Sequence, residues 1–118
     1  MNTLIMGAST NPERYAYKAA KSLLVHGHKI ELVGQKEGEV LGNKIETNYP
    51  DFEEIDTVTM YVGPKNQPNL YDYILRQKPR RIIFNPGAEN PEFEKLAKSK
   101  GVEVEEACTL VLLATGQF

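Results

Sequence analysis

The stretch LIMGASTNPERY, residues 4–15, decides the fold. An apolar run ends at Gly7, small polar residues follow, and Asn11-Pro12 offers a helix start. The chain therefore leaves a buried strand by a tight turn and enters a helix. A dinucleotide-binding turn of the form G-x-G-x-x-G carries three glycines, whereas here Ser9 and Pro12 stand at the second and third positions. They trade close backbone approach for a hydroxyl donor and a preset helix start. Asn11 as N-cap with Pro12 at the first helical position is one assignment of that start; a capping box of Thr10 with Glu13 is the other. In both, unpaired N–H groups and the positive end of the helix dipole sit beside the Ser9 and Thr10 hydroxyls, which suits a phosphate. A well-capped helix that binds nothing has the same local pattern.

Outward from this turn, strand-like and helix-like periodicity alternate. Residues 2–6 form a nearly continuous apolar run, as in a strand buried on both faces. Ala16, Ala19, Ala20, Leu23 and Leu24 make a helical stripe closed by Gly27. Residues 29–33 (KIELV) predict a second strand and 57–62 (TVTMYV) a third, rich in β-branched and aromatic side chains. The glycine-bearing segment between them reads as a long excursion with a short strand over 44–47. Leu70, Ile74 and Leu75 predict a helix ended by Pro79, residues 81–84 (RIIF) a fourth strand, 92–100 a third helix, and 102–105 a fifth strand. This alternation predicts one α/β domain over 1–118, a doubly wound, five-stranded parallel sheet in the order 3-2-1-4-5. Ligands of such sheets bind where the order reverses. That places residues 7–12 and 85–91, the loops leaving the first and fourth strands, at the crevice.

Charge and composition bound the function. A formal net charge of -2 over 118 residues gives no electrostatic case for nucleic acid or an anionic membrane. The N-terminal apolar run is too short for a signal sequence or a membrane span, which predicts a cytoplasmic protein. Cys108 is the only cysteine, and His26 and His28 have no partner at ligand spacing, so neither a disulfide nor a metal site is expected.

The end of the second strand reads VGQKEG, residues 33–38. An NAD site places a carboxylate there to hold the ribose diol. Here the first charge is Lys36, which suits a phosphate on the adenosine ribose, a group shared by NADP and coenzyme A. A nicotinamide cofactor needs a second mononucleotide-binding half, and the length predicts room for one.

From Gly7 to Cys108 the sequence resembles the small stand-alone coenzyme A-binding domain proteins, relatives of the N-terminal domain of the succinyl-CoA synthetase alpha subunit. The resemblance is carried by GASTNPERYAYKAAKSLLVHGHKI, VGQKEGEVLGNKI, DTVTMYVGPKN, NPGAENPE and EACT at matching spacings. It implies a Rossmann-like fold binding CoA across the strand ends. By position it implies a phosphate loop of Gly7, Ser9, Thr10 and Asn11, with Arg14 and Tyr15 behind it. Val33, Gly34 and Lys36 would lie toward the adenosine, Val62, Gly63 and Pro64 would line the next strand end, and Asn85, Pro86 and Gly87 would close the crevice. The chain lacks the synthetase's second domain with its phosphorylated histidine, and neither His26 nor His28 stands where that role is filled, so ligase activity is not implied.

The remaining features add constraints. Asn90-Pro91 repeats the cap-plus-proline start. Lys78, Arg80 and Arg81 precede the fourth strand and read as a solvated end away from the crevice. Cys108 reads as a small buried hydrophobe rather than a reactive thiol, since no base lies close in sequence. Leu110 to Ala114 cannot all face one interior from a single helix, which predicts a homodimer contact. No Ser-His-Asp set or carboxylate pair suggests catalysis. The sequence thus supports a CoA or acyl-CoA binding module; the alternative is a small NADP-dependent reductase or other nucleotide-processing enzyme.

Overall fold

A computed structural model describes residues 1–118. Its strands are β1 (Asn2–Met6), β2 (Lys29–Val33), β3 (Gly38–Val40), β4 (Asn43–Glu46), β5 (Ile55–Met60), β6 (Arg81–Phe84) and β7 (Glu103–Glu106). The helices are α1 (Tyr15–Val25), α2 (Tyr71–Arg76), α3 (Pro91–Ser99) and α4 (Thr109–Ala114). All seven strands form one sheet in the order β3-β4-β2-β1-β5-β6-β7. Every neighbouring pair is parallel except the β3–β4 hairpin.

The expected five strands and the order 3-2-1-4-5 need correction. The segment read as a third strand, now β5, does not lie outside β2; it pairs with β1, Leu4 opposite Val58 and Met6 opposite Met60. The place beside β2 belongs to β4, with Leu32 opposite Ile45. The short strand suggested over 44–47 is therefore the true third parallel strand. With β3 set aside, the six parallel strands run 3-2-1-4-5-6, so both mononucleotide halves are present where the length suggested one. The chain achieves this economy by joining β2 to β4 through a hairpin strand instead of a helix. The order reverses between β1 and β5, which moves the crevice away from the loop that leaves β6.

Both faces of the sheet are covered, and the period-two alternation of each strand assigns the side chains. On one face Leu4, Met6, Val58, Met60, Ile82 and Phe84 pack with Tyr73 and Ile74 of α2 and Phe93 and Ala97 of α3. On the other, Ile5, Ile30 and Leu32 meet Ala16, Ala20 and Leu23 of α1 and Leu113 of α4. The small residues of α1 let that helix sit close against the sheet, which positions its N-terminus over the end of β1. Of the apolar run in α4, Leu112 and Leu113 are buried and Val111 is exposed. Arg81 is also buried, contrary to the solvated end expected of it; its guanidinium lies over the Phe118 ring and bonds Thr57 and Glu105. Its neighbour Arg80 is exposed and pairs with Asp56 and Glu103. No helix is long and apolar enough to cross a membrane.

Candidate functional site

The carboxyl ends of β1, β2 and β5 open onto a cleft of about 890 Å³, within the range of small-molecule sites. Its floor is apolar, formed by Met6, Ala8, Ala16, Val33, Ile45 and the ring of Tyr61. The Tyr61 hydroxyl turns inward, buried with no partner at hydrogen-bond geometry, and burial pushes this phenol up to about 12. The cleft walls are polar and basic.

The β1–α1 loop makes the first wall. Gly7 has φ +87, and a Cβ there would lie 2.6 Å from the carbonyl oxygen of Tyr61. Its lack of a side chain is thus required by the neighbouring strand end. The Gly7 and Ala8 N–H groups both donate to the Val33 carbonyl at 2.9 Å, tying the loop to β2. The next donors, the N–H groups of Ser9 and Thr10, have no acceptor within the molecule.

Helix α1 begins three residues later than the Asn11 assignment and four later than the Thr10 one. Its N-cap is Arg14, which makes no side-chain cap. The Asn11 side chain caps the preceding turn instead, accepting from Glu13 N at 3.0 Å, while Ser9 Oγ accepts from Asn11 N at 3.1 Å. A Thr10–Glu13 capping box does not form. The consequence is that the Tyr15, Ala16 and Tyr17 N–H groups open α1 without protein acceptors, and their dipole end points at the cleft.

The second wall comes from β2. Gly34 donates to the Glu46 carbonyl, and a Cβ on it would lie 2.6 Å from the Ala8 carbonyl oxygen. Gln35 and Lys36 follow on the rim. The third wall is the exit from β5: Val62 and Gly63, then two short 3-10 turns over Pro64–Asn66 and Pro68–Leu70. Gln67, fully buried, holds these turns in place. Its amide donates to the carbonyls of Val62 and Ala88, both at 2.8 Å, and accepts from Asn90 at 2.9 Å.

Of the residues expected at the site, Gly7, Ser9, Thr10, Arg14, Tyr15, Val33, Gly34, Lys36, Val62 and Gly63 line the cleft. Asn11 and Pro64 stand beside it in the turns that shape it. Asn85, Pro86 and Gly87 do not reach it, because β6 lies one strand beyond the switch. Asn85 is instead a buried tie, donating to Thr59 Oγ1 and the Met60 carbonyl and accepting from Thr109 N. Asn90 does cap α3, accepting from Phe93 N.

Sequence reasoning missed Tyr49, Tyr61, Lys65, Asn66 and Asn69 among the residues that line the cleft. The signal that would have found the last three was strand order: once β5 is set beside β1, its whole exit segment becomes cleft wall.

Electrostatically the cleft is one-sided. Arg14, Lys36 and Lys65 line it, no carboxylate does, and none of the three cations has an ion-pair partner, in a chain of net charge -2. Acidic groups gather elsewhere at this sheet edge, where Glu94 beside Glu106 raises the latter's carboxyl above its usual range. No three His, Cys, Asp or Glu side chains are grouped as metal ligands. Cys108 is half-buried at the N-cap of α4 and free.

An open helix start, a switch-point cleft and unpaired cations accompany a sequence match: the family described as a CoA binding domain matches residues 1–114. The chain belongs to this CoA-binding domain family. A crystal structure of an uncharacterized protein is 50% identical with a TM-score of 0.98, over 99% of this chain and 97% of that one. A hypothetical protein from Pyrococcus horikoshii OT3 is 28% identical with a TM-score of 0.83, over 92% of this chain and 78% of that one. The dinucleotide-forming acetyl-coenzyme A synthetase 1 of Ca. Korarchaeum cryptofilum, solved with phosphate and ADP, shares the fold at 19% identity and a TM-score of 0.72. There this CoA-binding domain aligns over 90% of its own length but 25% of the synthetase. No protein of curated function matches the chain.

Proposed function

We propose that the cleft binds coenzyme A or an acyl-CoA, and that the domain acts as a binding module without catalytic residues of its own. The observation that carries this reading is the cleft's charge: three unpaired cations and a row of free N–H groups around an apolar floor, in an otherwise acidic chain. CoA presents a diphosphate, a ribose phosphate, a flat base and a long uncharged arm, and the two phosphate groups have counterparts in the cleft. The diphosphate lies across the Ser9, Thr10, Tyr15 and Ala16 N–H groups with Arg14 alongside, as anions do at open helix starts. The 3′-phosphate is held by Lys36, at the strand end where an NAD enzyme would carry a carboxylate. Val111, exposed on α4, supports a homodimer contact, which sedimentation at high concentration tests directly.

The test is a thermal-shift comparison of CoA, 3′-dephospho-CoA, acetyl-CoA, NADPH and AMP. CoA and acetyl-CoA raise the melting temperature most, and 3′-dephospho-CoA does so less because Lys36 loses its partner. A larger shift with NADPH than with CoA favours the reductase reading instead, and no shift with any of the five removes both.

A further inference from the structure

At the other end of the sheet, Arg81 is a buried cation with little to balance it. Its side chain is 7% exposed, and the one carboxylate paired with it, on half-exposed Glu105, makes a single long contact of 3.5 Å to Nη1. Its Nε donates to Thr57 Oγ1 at 3.3 Å. Nη2 stands on the same edge of the planar guanidinium as that N–H group, is buried, and has no partner within the protein. The hydroxyl of fully buried Thr3 is equally unmet. A guanidinium taken out of water is costly unless its donors find acceptors.

The strand register gathers these groups. Thr3 lies opposite Thr57 and Thr57 opposite Arg81, so the three side chains form one row across β1, β5 and β6, on the face covered by α1 and α4. Phe118 roofs the row. The Arg81 guanidinium lies over its ring at 4.6 Å, and the ring also stacks on His28, just before β2, at 5.0 Å. Since β1 and β5 run between β2 and β6, the ring spans Thr3 and Thr57. The Gln117 and Phe118 N–H groups hold it there by donating to the Leu112 carbonyl. Stacking occupies the face of the guanidinium and leaves its donor edge free.

The surrounding groups do not supply the acceptor. The Thr57 hydroxyl donates to Asp56 at 2.7 Å, and both Asp56 oxygens also accept from Arg80. Burial, and then the chain's amino group, His26 and Arg81, hold the His28 imidazole below its ordinary 6.5, so positive charge gathers at this end. We infer that Arg81 Nη2 and the Thr3 hydroxyl form a second site, beneath Phe118, for a small anion: a carboxylate or an inorganic oxyanion. Such an anion accepts from both unmet donors, and its bond to the guanidinium is charge-assisted. The site lies at the amino ends of the strands whose carboxyl ends form the cleft, and it is independent of what the cleft binds.

Amide and arginine Nε–H correlation spectra test it, recorded on the full chain without CoA as sodium acetate or inorganic phosphate is added to a salt-free zwitterionic buffer. Saturating shifts at Thr3, Thr57, Arg81 and Phe118, with half-saturation in the millimolar range, are expected with at least one probe; acetate alone marks a carboxylate site and phosphate alone an oxyanion site. Thr3→Val keeps the side-chain outline, folds, and loses about tenfold in anion affinity. Arg81→Met abolishes the response, and if it fails to fold, Thr3→Val decides alone. Shifts confined to Ser9, Thr10 and Tyr15 overturn the inference, because the anion then binds only at the cleft. Half-saturation above the millimolar range overturns it too, as does an undiminished response in Thr3→Val.

Discussion

Gly34→Ala probes the contact that holds the loop between β1 and α1 to the sheet. The added Cβ would lie 2.6 Å from the Ala8 carbonyl oxygen and 3.1 Å from Ile45 Cγ2. Ordinary van der Waals contact begins near 3.4 Å, so the end of β2 and the loop must part by 3.4 − 2.6 = 0.8 Å to restore it. Backbone lies on the loop side of the clash, so no rotamer change absorbs it. Gly34 has no positive φ, so alanine is conformationally acceptable there and the effect is purely steric. Overpacking of this kind costs about 1–3 kcal/mol, offset by about 0.4–1 kcal/mol from the stiffer unfolded chain. A net loss of about 1–2 kcal/mol lowers the melting temperature by about 4–8 °C. The displaced loop also carries the free Ser9 and Thr10 N–H groups, so CoA affinity should fall by about tenfold, or about 1.4 kcal/mol. Calorimetry and thermal melts measure the two effects, with Gly63→Ala as control for the melting temperature alone, because nothing lies within 4 Å of a Cβ there. A Gly34→Ala protein with unchanged melting temperature and unchanged CoA affinity refutes the reasoning.

Three other expectations follow from the geometry. Gln67→Leu leaves the Val62 and Ala88 carbonyls and the Asn90 amide without their partner, so it should cost about 2–4 kcal/mol by denaturant unfolding; a loss under about 1 kcal/mol means these groups find other partners. Lys36→Gln should weaken CoA several-fold and leave 3′-dephospho-CoA nearly unchanged, while equal weakening of both places the 3′-phosphate elsewhere. The hydrogen-bonded Arg80 guanidinium holds the Asp56 carboxyl below its ordinary 3.8. A depressed folded-state value means that the stabilisation is complete above the unfolded value and is lost as pH falls through the folded one. Arg80→Leu should therefore flatten the acid limb of the melting temperature below about pH 4, and an unchanged limb assigns that dependence to other groups.

Much of the fold was legible because its signals are local. Periodicity and caps located every helix and the strands β1, β2, β5, β6 and β7 to within a few residues. The strand order was not legible, because it depends on which edge of β1 receives β5, a long-range choice among strands of similar apolar character. The short strand over Asn43–Glu46 decided it, and with only Ile45 buried it carries almost no hydrophobic pattern. The same error displaced half the expected crevice. Asn85, Pro86 and Gly87 form a convincing turn, but at a strand end away from the switch, whereas Lys65, Asn66 and Asn69 look like an ordinary polar connection until β5 is paired with β1. The loop between β1 and α1 was legible because a glycine, two hydroxyls and a proline encode a strand-to-helix turn without reference to the rest of the chain. The helix start within it was misplaced because Asn11 caps a turn before the helix, and an Asx-capped turn and an N-cap share one sequence signature.

CoA is expected to occupy the switch-point cleft with its phosphates on the loop between β1 and α1. An amide nitrogen–proton correlation spectrum recorded as CoA is added tests this residue by residue. The largest shifts are expected at Ser9, Thr10, Tyr15 and Ala16, with further changes at Lys36 and Lys65 and little movement at Gly87 or Glu89. Shifts concentrated around Asn85 to Glu89, with the loop of residues 8–16 unmoved, would contradict it.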